Sequence, residues 1–194
     1  MDDLLHPSIG PESYQEPRWA RWLFAGRTAA WLWLVVRLYM AYIWIPAGWE
    51  KITSGEWLGG DGSAMKGLLD KAIADPGTPT WYANFLKSFV EPNAPIFADL
   101  VALGEFAVGL GLLVGLLTGI AAFFGVFMNA NYVLAGVLSS NPVLIVLGAL
   151  VMLAWRNAGW IGLDRFFIPW VHRTFYAKQS PDATAAAASA SPGG

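Results

Sequence analysis

Apolar positions gather into four long runs, and the links between them differ greatly in length. The runs cover 29–49 (AAWLWLVVRLYMAYIWIPAGW), 97–117 (FADLVALGEFAVGLGLLVGLL), 119–138 (GIAAFFGVFMNANYVLAGVL) and 143–163 (VLIVLGALVMLAWRNAGWIGL). Each holds about 20 residues, enough for a helix to cross a ~30 Å hydrocarbon core. No period-2 alternation runs through them, which argues against membrane strands. In lipid a helix satisfies every backbone group within its own segment. Thr118-Gly119 and Ser139–Pro142 are tight links, and tight links place consecutive helices side by side and antiparallel. The pattern predicts an all-α integral membrane protein, a four-transmembrane-helix antiparallel bundle over 29–169. A polar segment (1–28) precedes it, and a tail (170–194) follows, expected to be disordered from about Ser180. Pro46 predicts a kink near 42–45.

The link over 50–96 is long and has its own periodicity. Met65, Leu68, Leu69, Ala72 and Ile73 recur at helical spacing behind Ser63, a natural N-cap. Tyr82, Phe85, Leu86, Phe89 and Val90 repeat the spacing. Asp75-Pro76-Gly77 and Glu91-Pro92-Asn93 are expected to break each helix. The link reads as two short amphipathic helices outside the membrane, a structured connector or a lid over a site.

Composition sharpens the membrane reading. The chain of 194 residues is 56% hydrophobic and 13% charged, whereas soluble domains carry about 25% charged residues. A net charge of −2 offers no basic field for nucleic acid. There is no cysteine, which removes disulfides, iron–sulfur clusters, thiolate zinc sites and cysteine nucleophiles. His6 and His172 both lie outside the apolar runs, so no haem held by two membrane histidines is expected, and no metal site. No GxGxxG follows a strand, so no dinucleotide fold is expected either. The opening MDDLLHPSIGPESYQEPRW lacks the pattern of a signal peptide. Trp44, Trp49, Trp57 and Trp81 suit an outer aromatic belt, and Trp22, Trp31, Trp160 and Trp170 an inner one. Arg18, Arg21 and Arg27 precede the first run, while Arg156, Arg165, Arg173 and Lys178 surround the end of the last. The positive-inside rule then puts both termini in the cytoplasm of a multi-pass cell-membrane protein.

A few polar residues interrupt the runs. Arg37 stands eight residues above the inner end of the first, and Glu105 eight below the outer end of the second. Their Cα atoms are expected to differ in depth by about 6 Å, with Asn129 between them and Asn131 about 3 Å further out. A charge at the bilayer centre costs about 2.5–3.5 kcal/mol, so an Arg37–Glu105 pair clasped by Asn129 is the natural expectation. Such a clasp either fixes helix register or forms a polar pocket around a proton-carrying carboxylate. Lys51 and Asn141, at the outer ends, are candidates for a substrate mouth. Gly104, Gly109, Gly111, Gly115 and Gly119 allow close helix approach, Gly111 and Gly115 as a GxxxG step.

Arg37, GWEKITSGEW (48–57), GEFAVGLGLLVGLLTG (104–119), MNANYVLAG (128–136), SSNP (139–142) and AWRNAGWIGLDRFFIP (154–169) together resemble the DoxX/DoxD family over roughly 32–169. That family comprises small four-helix membrane proteins, among them the DoxD membrane subunit of thiosulfate:quinone oxidoreductase. One departure is Gly119, where many relatives are expected to carry a basic residue. The resemblance implies electrons passing from thiosulfate or a related sulfur compound to quinone, and it nominates Arg37, Lys51, Glu105 and Asn129. On that reading Arg37 holds a quinone carbonyl or anionic substrate, Glu105 exchanges the proton, and Lys51 draws in the sulfur anion, with Asn129, Asn131 and Asn141 lining the route. Quinone is then a bound substrate, and the expected partners are the lipid bilayer and one or more further subunits. The alternatives are a non-catalytic accessory subunit of a respiratory or photosynthetic complex, and a small-solute or proton pathway.

Overall fold

The computed structural model describes residues 17–175. The stretches before and after them, which include His6, Lys178 and the low-complexity tail, lie outside the described residues. The described chain is helical: α1 (Arg18–Ala25), α2 (Ala29–Thr53), α3 (Ser63–Ala74), α4 (Thr80–Phe85), α5 (Ala94–Val114), α6 (Thr118–Leu134), α7 (Asn141–Leu153), α8 (Trp155–Ala158) and α9 (Asp164–Phe175). Two helical stretches are long and apolar enough to cross a membrane, Ala29–Thr53 and Thr80–Val114, while α6 and α7 are apolar but shorter.

Helix α2 lies along α5. Gly48 abuts the backbone of Phe106, Gly109 abuts Ile45, and Arg37 reaches Leu112, so contacts climb α2 as they descend α5. Helix α6 meets α5 through Gly104 against Met128 and Gly111 against Ala121. It meets α7 through Gly148 against Val126, and Gly119 packs on Trp155 just beyond α7. Glycines at these crossings bring backbones within direct contact, the usual basis of helix association in lipid. The core between these helices includes Trp33, Met40, Trp44, Val108, Leu112, Leu144 and Val151. Trp44, assigned above to the outer belt, is 2% exposed and belongs to this core. Trp22, Trp31, Trp49, Trp81, Trp160 and Trp170 are exposed, as belt residues should be.

The connector between α2 and α5 folds as two helices on the expected faces. Met65, Leu69 and Ala72 of α3 pack with Tyr82, Leu86, Val90, Ala94 and Ala98 in a second apolar cluster. Ser63 is the first helical residue and not the cap. Its amide donates to Asp61 Oδ1 at 2.9 Å, and this backbone bond holds the Asp61 carboxyl below its usual range. Asp75-Pro76-Gly77 ends α3 as expected. Glu91-Pro92-Asn93 does not end α4. A π turn (Leu86–Val90) and a 3-10 turn (Glu91–Asn93) carry the chain directly into α5. Proline lacks an amide proton, and non-α turns redistribute the carbonyls that Pro92 and Pro95 leave unserved.

The other boundaries also move. A helix forms at Arg18–Ala25, within the segment read as polar. The α5–α6 turn falls at 115–117 and not at Thr118-Gly119. Gly115 adopts φ 66°, and the Leu116 amide donates back to Gly111 O at 3.0 Å. Across the turn, Asp164 accepts from the Leu117 amide (2.7 Å) and the Thr118 amide (2.9 Å), capping α6 with a carboxylate from α9. The fourth apolar run is not one helix. It breaks at Ala154 and turns back, because its carbonyls and amides after Asn157 serve other parts of the fold. Asn157 Nδ2 donates to Leu23 O and Gly26 O, and the Leu163 and Asp164 amides donate to Val114 O and Gly115 O.

A Cβ at Gly115 would overlap the Arg37 guanidinium, on a backbone that L-residues rarely adopt. Gly115→Ala is therefore expected to destabilise the protein by more than about 1 kcal/mol. A lowered thermal midpoint in detergent, with unchanged helical content at low temperature, is the result that checks it.

Candidate functional site

Arg37 and Glu105 do not pair. Arg37, 1% exposed, is surrounded by carbonyls. Its Nε donates to Leu112 O at 2.6 Å, Nη1 to Ala158 O at 2.7 Å, and Nη2 to Ile161 O at 3.1 Å and Leu113 O at 3.4 Å. Leu112 and Leu113 lie in the last turn of α5, where carbonyls have no helical partner and the helix end carries partial negative charge. Arg37 is interior, as its depth along the first run predicts, but backbone carbonyls supply its acceptors in place of the Glu105 side chain.

Glu105, 3% exposed, pairs instead with Lys51: Nζ lies 2.7 Å from Oε2. Lys51 follows two turns above Trp44 on α2, and its ammonium also stands 5.3 Å from the centre of the Trp57 ring. The other carboxylate oxygen, Oε1, accepts from the Tyr132 hydroxyl at 2.6 Å. Three elements thus converge on one carboxylate. Lys51 comes from the last turn of α2, Glu105 from the middle of α5, and Tyr132 from the last turn of α6. Salt bridge and phenolic hydrogen bond satisfy both carboxylate oxygens, which is how a buried charge is retained.

The asparagines divide. Asn129, 1% exposed and one turn below Tyr132 on α6, has neither amide atom hydrogen-bonded among the described residues. Trp44 Nε1 is also buried without a partner, and its ring edge packs on Gly125, one turn below Asn129. Asn131 turns the other way: Oδ1 accepts from the Tyr82 hydroxyl at 3.0 Å and Nδ2 donates to Phe127 O. Asn141 is buried at the start of α7 and donates to Val137 O, a local bond away from Glu105. Among the described residues no group of three His, Asp or Glu gathers at metal-ligand spacing.

Beside the trio runs a groove of about 930 Å³ between α5 and α6, closed above by α3 and α4. Its walls are nearly all apolar, including Leu69, Phe97, Val108, Ile120, Phe124 and Met128. Tyr82, Asn131 and Tyr132 supply the polar atoms. Tyr132 therefore lines the groove and bonds Glu105, which in turn meets the partly exposed Lys51. Tyr132 was not singled out from the sequence. Its signal was there in MNANY, where Asn129 and Tyr132 are three apart and share a helix face.

Coupling energies should report the true pairing. In double-mutant cycles on thermal stability, Lys51→Met with Glu105→Gln is expected to couple by about 0.5–3 kcal/mol, while Arg37→Gln with Glu105→Gln stays additive within about 0.5 kcal/mol.

The DoxX family model matches residues 32–136, a span that holds Arg37, Lys51, Glu105, Asn129, Asn131 and Tyr132. No curated protein and no solved structure matches the chain. The match covers more than half of the 194 residues, and it agrees with the apolar helices and with the motifs quoted above. This chain is a membrane protein of the DoxX family.

Proposed function

We propose that the chain is the membrane subunit of a quinone-linked oxidoreductase of the DoxD type. It would cross the cell membrane four times as an antiparallel bundle, with both termini cytoplasmic and α3–α4 on the outer side. In this arrangement α7 and α8 together form the fourth crossing, the break at Ala154 falling near the inner face. The observation that carries the reading is a single polar contact. The Tyr132 hydroxyl stands in the wall of an apolar groove and donates to a buried carboxylate. A quinone ring with its isoprenoid chain matches a groove that is apolar along its length and hydrogen-bonding at one place.

Reduction of a quinone consumes two electrons and two protons. Tyr132, Glu105 and Lys51 form a line along which a proton can pass from the outer side to a quinone carbonyl in the groove. The electrons come from the sulfur donor, directly or through a partner subunit. Lys51, with its side chain 22% exposed, is the outermost cation of this line and attracts a sulfur anion electrostatically. Arg37 takes no part in this scheme, since carbonyls already occupy its guanidinium. The second reading is an accessory subunit, and it is favoured by the same groove: a slot of this size between two helices also accepts a helix of a neighbouring subunit.

With the protein purified gently together with its native partners, thiosulfate-dependent quinone reduction is expected. Tyr132→Phe and Glu105→Gln are expected to lower kcat by about 10²-fold or more, the usual contribution of a positioned proton donor. Activity unchanged in both variants, or no quinone binding with co-purifying subunits present, would transfer the chain to the accessory role.

A further inference from the structure

The inner end of the molecule holds a second slot, of about 470 Å³, between α9 and the ends of α6 and α7. Its volume falls within the ~300–1,000 Å³ of small-molecule sites. Most of the wall is apolar, with Met152, Trp155, Phe167 and Val171 prominent. One atom in it is out of place: Thr118 lines the slot, is fully buried, and its Oγ1 has no hydrogen-bond partner among the described residues. A buried hydroxyl left unpaired is destabilising, and a ligand acceptor in the slot would satisfy it. Asp164 also lines the slot, but both its oxygens already accept amides of the α6 N-terminus.

The rim has the opposite character. Arg156 stacks on the Trp155 ring at 5.6 Å, and Arg165 lies 5.3 Å from the Trp160 ring. Arg18, Arg21 and Arg27 of the α1 region and Arg173 of α9 belong to the same end. Among the described residues of this end, Asp164 is the sole carboxylate, and it is buried. The site thus has a mostly apolar interior with His172 on its wall, one buried hydroxyl without a partner among the described residues, an internal carboxylate that repels any anion placed deep, and a cationic rim. A molecule that matches this has a long apolar chain, an acceptor near its upper end, and an anionic group held outside.

We infer that the slot under α9 binds one anionic phospholipid of the inner leaflet. An acyl chain occupies the slot, an ester carbonyl accepts from the Thr118 hydroxyl, and the phosphate rests at Arg156. Exposed Trp19, Trp22, Phe166 and Trp170 give α1 and α9 the aromatic faces that suit amphipathic helices at a membrane interface. The site is independent of the quinone reading, since it lies at the opposite end from Glu105.

The test is thermal unfolding of the full chain in detergent, titrated with phosphatidylglycerol, phosphatidylcholine or inorganic phosphate. Phosphatidylglycerol at about 100 times its Kd is expected to raise Tm by about 5–10 °C, with phosphatidylcholine giving clearly less and phosphate nothing. Arg156→Gln should remove the preference for phosphatidylglycerol, and Arg156→Lys should retain most of it. Thr118→Val, nearly isosteric, should weaken the lipid by roughly 3–10-fold. Equal shifts from the two lipids would overturn the inference. So would an equal shift from free phosphate, or an affinity unchanged by both Arg156→Gln and Thr118→Val. Where a variant lowers yield, native mass spectrometry of the wild-type chain decides: one retained anionic lipid supports the site, and none overturns it.

Discussion

A guanidinium buried among backbone carbonyls governs the end of this molecule where α5 turns into α6. In lipid, every unpaired polar group is costly, and an arginine at the bilayer centre costs about 2.5–3.5 kcal/mol on insertion scales. Each hydrogen bond to a charged group returns about 1.5–3 kcal/mol, so two well-formed bonds suffice to hold Arg37 inside. It makes contacts to Leu112, Leu113, Ala158 and Ile161, and so takes up acceptors from two places that would otherwise lack donors. One is the open C-terminal turn of α5. The other is the broken stretch after α7. The shape of this end follows: Gly115 and Gly162 must be glycine-sized to admit the guanidinium, and the carbonyls of Ala158 and Ile161 turn to Arg37 where the chain leaves the helix. Asp164 completes the arrangement by capping the next helix. The cation satisfies orphan carbonyls and the anion satisfies orphan amides, across one three-residue turn.

This division separates structure from chemistry. Had Arg37 paired with Glu105, both charges would have been committed to holding helices together, and neither would be free to exchange a proton. With Arg37 occupied elsewhere, Glu105 is left with Lys51 and Tyr132, side chains that both carry exchangeable protons. Lys51 is partly exposed, and Tyr132 lines the groove. The unpartnered Asn129 amide and Trp44 indole lie one to two turns below Tyr132, on the same face of the interior. Unsatisfied polar atoms at that depth are uncommon in a core that serves only packing. They lie on the helix that carries Tyr132 or packed against it, so the unpaired polar atoms gather on the α6 side of the interior.

Much of this was legible in the sequence, and the failures have a common cause. Apolar runs of the right length located α2, α5 and α6, and helical spacing located both connector helices and their buried faces, Met65–Leu69–Ala72 and Tyr82–Leu86–Val90. Depth counting from run boundaries brought Arg37 and Glu105 inside. What failed was every inference that treated the backbone as already satisfied. The break at Ala154, the helical passage through Pro92 and the carbonyl cage of Arg37 are all cases in which backbone groups, not side chains, determined the outcome. Hydropathy does not register them: AWRNAGW reads as the end of an apolar helix although its carbonyls have partners elsewhere. Trp44 was misplaced for a related reason. A tryptophan near a helix end suggests an interface, but Gly125 opposite it leaves room for an indole in the core.

The groove raises a question of design: why place a tyrosine between it and the carboxylate? A carboxylate opening directly into an apolar slot would have to shed its solvation and its Lys51 partner whenever a hydrophobic ligand arrived, and burial would favour its neutral form. A phenol avoids this. Its single proton goes to Glu105 and its neutral oxygen is left for the groove side; it costs little to bury when hydrogen-bonded, and it keeps the charge one bond away, paired with lysine. The groove then keeps a nearly uniform apolar surface with one hydrogen-bonding point, while the charge stays in place beside Lys51. An apolar slot and a permanent ion pair can share the interior of so small a bundle only if a group like Tyr132 stands between them.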